Sequence, residues 1–360
     1  MKRRAFVKQS ALGAFAASSI STWPAARVQA KIPLGMDAHA VRGMRWQAGQ
    51  LIDYANGLGM RSLLLNGLDY FESLDNSHLQ SLQDRLQAQG MRLYFGVGGL
   101  SLNSPSYSDR FGTPTELVRE GIRIARIFNT PSVNCRIGSI QDRYTEGGII
   151  ARMEEISSVL RSMRSEITDV GIKFAIENHA GDMRSEELLQ LVDGVGTDIC
   201  GVMLDPGNSV WAMENPMNQL EMLGKHVLCT SIRDYRVWPS AGGAHFQWTA
   251  LGEGSMDFKS YTERMAALCP AAPFHIESIS GDAREIPFLT EEFWEGFPDL
   301  KASLLLDFFH MVRDGEAMEA LVVPEGADKT IFMQNHQKNE LKKSAEYLWA
   351  NCAAIMPRKA

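Results

Sequence analysis

The chain has 360 residues, 45% hydrophobic and 22% charged, an ordinary globular composition with length for one large domain or two small ones. Its formal charge of −7 is uneven: residues 1–30 carry Lys2, Arg3, Arg4, Lys8 and Arg27 and no acid, +5, and the rest, with 31 basic and 43 acidic groups, stands at −12. Such an acidic body argues against nucleic acid as the main partner and against a polybasic membrane-surface protein, and recurring apolar blocks argue against disorder.

The basic start is followed by a small-residue apolar stretch, Ser10 to Ile20, and by Val28-Gln29-Ala30, an A-x-A-like cleavage site. The stretch is shorter than the roughly 20 apolar residues a bilayer span needs. Arg3-Arg4-Ala5-Phe6-Val7-Lys8 resembles the twin-arginine signal consensus. Residues 1–30 are therefore expected to be a signal cut near Ala30, with the twin-arginine export machinery as partner, a periplasmic or otherwise exported location and no stable membrane insertion. An uncleaved anchor with a basic start is the alternative. Five widely spaced cysteines show no CxxC or zinc-finger spacing; Cys135, Cys200 and Cys229 lie in apolar runs and read as buried small hydrophobes.

From residue 31 onward, strand candidates alternate with helical patterns. The strands are Ile32–Met36, Ser62–Leu65, Arg92–Val97, Ser132–Ile137, Lys173–Glu177, Ile199–Leu204, Val227–Ile232 and Phe274–Glu277. Helical segments include Thr113–Phe128, opened by Thr-Pro, then Ile149–Ile167, Ser185–Val195, Asn215–Leu223, Asp257–Leu268, Leu300–Arg313 and Glu340–Asn351. Near-continuous apolar strands suit a parallel sheet covered on both faces. Eight units at a period of roughly 35 residues predict an α/β protein, a single-domain (β/α)₈ TIM barrel over 31–360, with insertions after strands seven (Asp234–Gly254) and eight (Ser278–Asn339). A doubly wound open sheet fits less well, because no G-x-G-x-x-G follows an early strand.

Strand five ends at Glu177, before Asn178 and His179; strand six at Asp205-Pro206-Gly207-Asn208; strand seven at Arg233-Asp234; strand eight at His275-Ile276-Glu277. Polar residues at C-terminal strand ends build the active site of such a barrel. Three carboxylates at one rim repel unless a cation neutralises them, and hard oxygen ligands with one imidazole suit one divalent ion, Mn²⁺ first, with Mg²⁺, Co²⁺ or Zn²⁺ as alternatives.

Ile-Glu177-Asn178-His179, Leu-Asp205-Pro-Gly-Asn208, Leu251-Gly252-Glu253-Gly254-Ser-Met-Asp257-Phe258 and His275-Ile-Glu277-Ser278 together resemble the xylose-isomerase-like barrels, a superfamily of sugar isomerases, epimerases, inosose dehydratases and keto-sugar lyases. The resemblance covers most of 31–285 and the last helix. It implies Glu177, Asp205 and Glu277 as metal ligands. Many members read His-x-Lys-Asp at the end of strand seven, with the His as ligand; Ser231-Ile232-Arg233-Asp234 departs from this. His245, in the following loop, is the expected replacement ligand, with Gln247 second; an ordinary loop histidine is the alternative.

A metal beside a carbonyl and its neighbouring hydroxyl acidifies the shared C–H, and a carboxylate can remove that proton to give an enediolate. Glu177 and Glu277 are the expected catalytic pair, bracketing a sugar or glycoside from opposite faces. His179, Arg233, His39 and Trp248 are expected substrate contacts, with Arg233 alternatively paired to Asp234. Asn208 and Glu253 read as turn-holding residues, and His275 as a residue one layer below Glu277. An unphosphorylated substrate follows from export and from the lack of a glycine-rich phosphate loop. The functional expectation is a metal-dependent sugar isomerase or epimerase. The alternatives are a 3-keto-glycoside lyase, hydrolase or inosose-type dehydratase acting by elimination, and a non-catalytic exported sugar-binding barrel. Oligomeric state stays open.

Overall fold

A computed structural model describes residues 30–358; the twin-arginine motif and the apolar stretch after it lie outside the described residues. The strands run β1 (Leu34–Asp37), β2 (Ser62–Leu65), β3 (Arg92–Gly99), β4 (Ser132–Arg136), β5 (Lys173–Glu177), β6 (Cys200–Leu204) and β7 (Val227–Thr230). An antiparallel pair, β8 (Asp234–Pro239) and β9 (Ala244–Thr249), follows; then come β10 (Phe274–Ile276) and β11 (Arg284–Ile286). β1 to β7 and β10 form one parallel sheet in which β1 lies between β2 and β10. The last gap, between β7 and β10, is closed by a bridge of Ile232 to Ile276, with Ile232 N donating to His275 O (2.7 Å) and Glu277 N to Ile232 O (2.8 Å). The expected eight-stranded parallel TIM barrel is thus observed, as a single domain.

The alternation of neighbours along a strand explains both layers of its core. Leu63 and Leu65 pack outward in the large cluster beneath the helices, whereas Leu64 joins Tyr94, Ala175, Met203 and Cys229 inside the barrel. His275 is part of that interior, near Tyr94 (ring centroids 5.2 Å) and Cys229 Sγ (3.6 Å), and burial pushes its pKa down to about 3. All five cysteines are free and buried.

The helix Pro114–Phe128 starts as its sequence predicts, with Pro at its first turn and a reciprocal Thr113–Glu116 cap. The stretch Ile149–Ile167, expected as one helix, is two, Gly148–Ser162 and Arg164–Val170, meeting at Met163. The last helix starts earlier than Glu340, at Lys329, where Asp328 caps it by accepting from Ile331 N (3.0 Å). Among the described residues no helix is long and apolar enough to cross a membrane.

The largest departure lies in Asp234–Gly254. Expected as a loop, it is the β8–β9 hairpin, to which β11 adds a third antiparallel strand. Tyr235 and Val237 with Ala244, Phe246 and Trp248 face a second apolar cluster that includes Val210, Phe293 and Phe308. This cap sits beside the C-terminal strand ends because Asp234 anchors it. The Asp234 carboxylate accepts from the backbone N–H of Tyr235 (2.8 Å), Gly252 (3.0 Å), Gly254 (2.9 Å) and Met256 (3.1 Å). Gly252 has φ +89°, and a Cβ on Gly254 would strike Asp234 Oδ1, so the Leu-Gly-Glu-Gly segment needs both glycines.

Candidate active site at the C-terminal rim

Each acidic side chain is delivered by a strand end. Glu177 is the last residue of β5, Asp205 follows β6, and Glu277 follows β10; all are buried. Asn178 locks the second to the first: its Nδ2 donates to Asp205 O (2.7 Å) and its Oδ1 accepts from Asp205 N (2.9 Å). Asp205 also caps the short helix Pro206–Trp211, which was not among the helices expected from the sequence. Its carboxylate accepts from Gly207 N (2.8 Å), Asn208 N (3.1 Å) and Asn208 Nδ2 (2.7 Å), so Asn208 holds the turn as expected.

Arg233 is the centre of the arrangement. Its Nη2 donates to Asp205 Oδ2 (2.5 Å) and to Glu277 Oε2, and its guanidinium lies over the Trp248 ring at 4.3 Å. Trp248 is itself fixed by donating Nε1 to Gly207 O (3.0 Å). A Cβ on Gly207 would land on Arg233 Cγ, so this glycine leaves the path along which the arginine enters. The alternative of an Arg233–Asp234 pair is not what forms: Asp234 turns away into the cap.

Ser231, where an imidazole would stand, touches two acids: its Oγ is 2.7 Å from Glu277 Oε2 and 3.0 Å from Asp37 Oδ2. A hydroxyl has one proton to give. Burial works against the charge of Glu277, but Arg233 and Ser231 hold its pKa below the ordinary value; burial and the Glu277 charge push Asp37 well above it. Ser231 can therefore donate to only one of the two acids at a time. Asp37 is a site residue that the sequence reading missed, although it too closes an apolar strand.

Glu177 differs from the other two acids. It has no ion pair among the described residues; Asn66 Nδ2 donates to its Oε2 (3.3 Å). Burial raises its pKa to about 7, against the opposing pull of Arg136. Two half-buried histidines stand over the acids. His39 N donates to Asp37 Oδ1 (2.8 Å), and His179 places Nδ1 against Gly138 O, leaving Nε2 as its remaining ring nitrogen. Burial lowers the pKa of each to about 4, so both are neutral at pH 7. Asp182 builds the loop that carries His179, accepting from the N–H of His179 (2.8 Å), Met183 (2.6 Å) and Gly138 (3.3 Å). Arg284, from β11, lies over the Trp248 ring at 4.3 Å and was also missed.

The structure thus gathers Glu177, Asp205, Glu277, Arg233, His39, His179 and Trp248 at one rim. It does not bring His245 there. On β9, Ala244, Phe246 and Trp248 face inward, and His245 lies on the other face, against Trp238 at 5.9 Å. Gln247 shares that face and donates Nε2 to Glu319 O (3.0 Å). Among the described residues no three His, Cys, Asp or Glu side chains are grouped to hold a metal ion. The space between Asp205 and Glu277 is taken by a guanidinium and the fourth donor is a hydroxyl, so the side chains at this rim do not fit the divalent ion that the resemblance implies.

The comparisons agree with the barrel. Residues 52–292 match the family model described as xylose isomerase-like TIM barrel. A 3-oxo-isoapionate decarboxylase from Pectobacterium atrosepticum is 24% identical over 230 residues, 63% of this chain and 71% of that protein. Among solved structures, a D-psicose 3-epimerase in the presence of D-fructose superposes with a TM-score of 0.58 at 13% identity, covering 89% of this chain and 99% of the other. The IolI protein with a binding zinc atom gives 0.53 at 13% identity, covering 87% and 99%. With its family model matched over two thirds of the length and its strands closed into the same barrel, this chain belongs to the xylose isomerase-like TIM barrel family.

Proposed function

We propose that this chain is an exported enzyme of sugar chemistry, an isomerase or epimerase that removes a proton from the carbon beside a carbonyl of an unphosphorylated sugar or sugar derivative. The observation that carries this reading is Glu177: a buried carboxylate without an ion pair among the described residues, beside two acids already tied to Arg233. A base freed in this way and poised near neutrality is what proton abstraction requires. Its carboxylate takes the α-proton, the C–H electron pair becomes the new C=C bond, and the carbonyl π pair moves to oxygen. Return of a proton to the same carbon from the opposite face inverts it; return to the neighbouring carbon interconverts aldose and ketose. His39 and His179, both neutral, suit hydrogen bonds to sugar hydroxyls. Exported location rests on the N-terminal sequence.

The similarity to a decarboxylase of a 3-oxo acid supports a second reading, cleavage beside a ketone, since losing CO₂ or a β-oxygen substituent passes through the same enolate. Incubation with ketoses and 3-keto-glycosides in deuterated water, followed by NMR, tests the first reading and separates the second. Deuterium beside the carbonyl in unchanged or epimerised sugar supports proton transfer, cleaved product supports elimination, and neither with any sugar contradicts both. Because Glu177 must be ionised to act as base, kcat/KM is expected to rise with pH through about 7 and to level above it, a limb that Glu177→Asp shifts.

A further inference from the structure

We propose that Arg233 stands in for the divalent ion and that its guanidinium binds the substrate carbonyl oxygen. The inference rests on the enolisation reading above but is argued from the rim itself. Two acids from different strands, Asp205 and Glu277, converge on one nitrogen, Nη2, where they would otherwise share a cation. The arginine is built in: Trp248 carries its planar face, Gly207 clears its path, and only 4% of it is exposed. Ser231 stands where the resemblance implies a metal-binding imidazole, which a guanidinium would not need, and its hydroxyl meets Glu277.

The remaining donors point to a ligand. Arg233 Nε is buried without a partner, and Nη1 makes no hydrogen bond among the described residues. A buried orphan N–H is costly, and such donors are found where a ligand or transition state supplies the acceptor. A guanidinium presents its donors as a planar fork, matched to an oxygen on which charge develops. As Glu177 takes the proton and the C–H pair forms the C=C bond, the oxygen receives the π pair and the freed Arg233 N–H groups hold that charge. No oxidant, reductant or further reactant enters.

The test needs no substrate. The full chain is titrated calorimetrically with MnCl₂ and with ZnCl₂, beside Arg233→Gln, which vacates the position between the acids. Wild type is expected to bind neither ion with Kd below about 1 mM, and Arg233→Gln to take up one ion per chain at least about tenfold more tightly. One ion bound stoichiometrically by wild type overturns the proposal. A folded Arg233→Gln that gains no ion also counts against it, because the guanidinium would then not be filling a cation position; if that variant does not fold, the wild-type titration decides alone. The readout is independent of catalysis: absent deuterium exchange defeats the enolisation reading without changing the titration, and ion uptake defeats the arginine proposal without changing the exchange.

Discussion

Glu177→Gln is expected to lower the rate of proton exchange by about 10²–10⁴-fold, the range for removing a positioned general base, with little change in stability. The substitution keeps size and shape, and the glutamine oxygen can still accept from Asn66, the one side-chain hydrogen bond Glu177 makes among the described residues. It also removes a carboxylate whose charge burial disfavours, so a small rise in midpoint by denaturant unfolding is the expected companion. Loss of exchange without a fall in midpoint places Glu177 in the chemistry; loss together with unfolding does not. Glu277→Gln should behave differently, since it strips one acid from Arg233 and Ser231, and stability should fall with the rate.

Arg233→Met is the substitution with the largest expected effect on stability. Both acids beside it are buried and share its Nη2, so methionine leaves two carboxylates without their counter-charge. Breaking a buried ion pair from one side costs about 3–5 kcal/mol, readable as a drop in denaturant midpoint at an unchanged slope. The cause can be isolated. Adding Asp205→Asn and Glu277→Gln to Arg233→Met removes the uncompensated charges and should recover most of the loss, but not the activity. If the triple variant is no more stable than Arg233→Met alone, uncompensated charge is not what the arginine relieves.

The rule of an apolar run closed by a carboxylate located Glu177, Asp205 and Glu277 in the sequence. Asp37 obeys the same rule and escaped only because the first strand was ended at Met36, one residue short. What the sequence hid was side-chain pairing over long separations. Ser231 meets Asp37 across 194 residues, and Arg233 reaches Glu277 across 44 rather than Asp234 beside it. The hairpin was legible in part: Tyr235 and Val237, then Ala244, Phe246 and Trp248, alternate with period two, which argues for strands over a loop. That alternation also decides His245, which a strand must turn away from the face that carries Trp248. Arg284 had no local signal, because β11 gains its place only by pairing with β9.

The most direct measurement is deuterium exchange by the full chain after dialysis against EDTA, on whichever ketose or 3-keto-glycoside exchanges fastest. Exchange should persist at the untreated rate, be unaffected by added Mn²⁺ and disappear in Arg233→Met. Exchange that EDTA abolishes and Mn²⁺ restores would contradict the assignment of the cation role to Arg233.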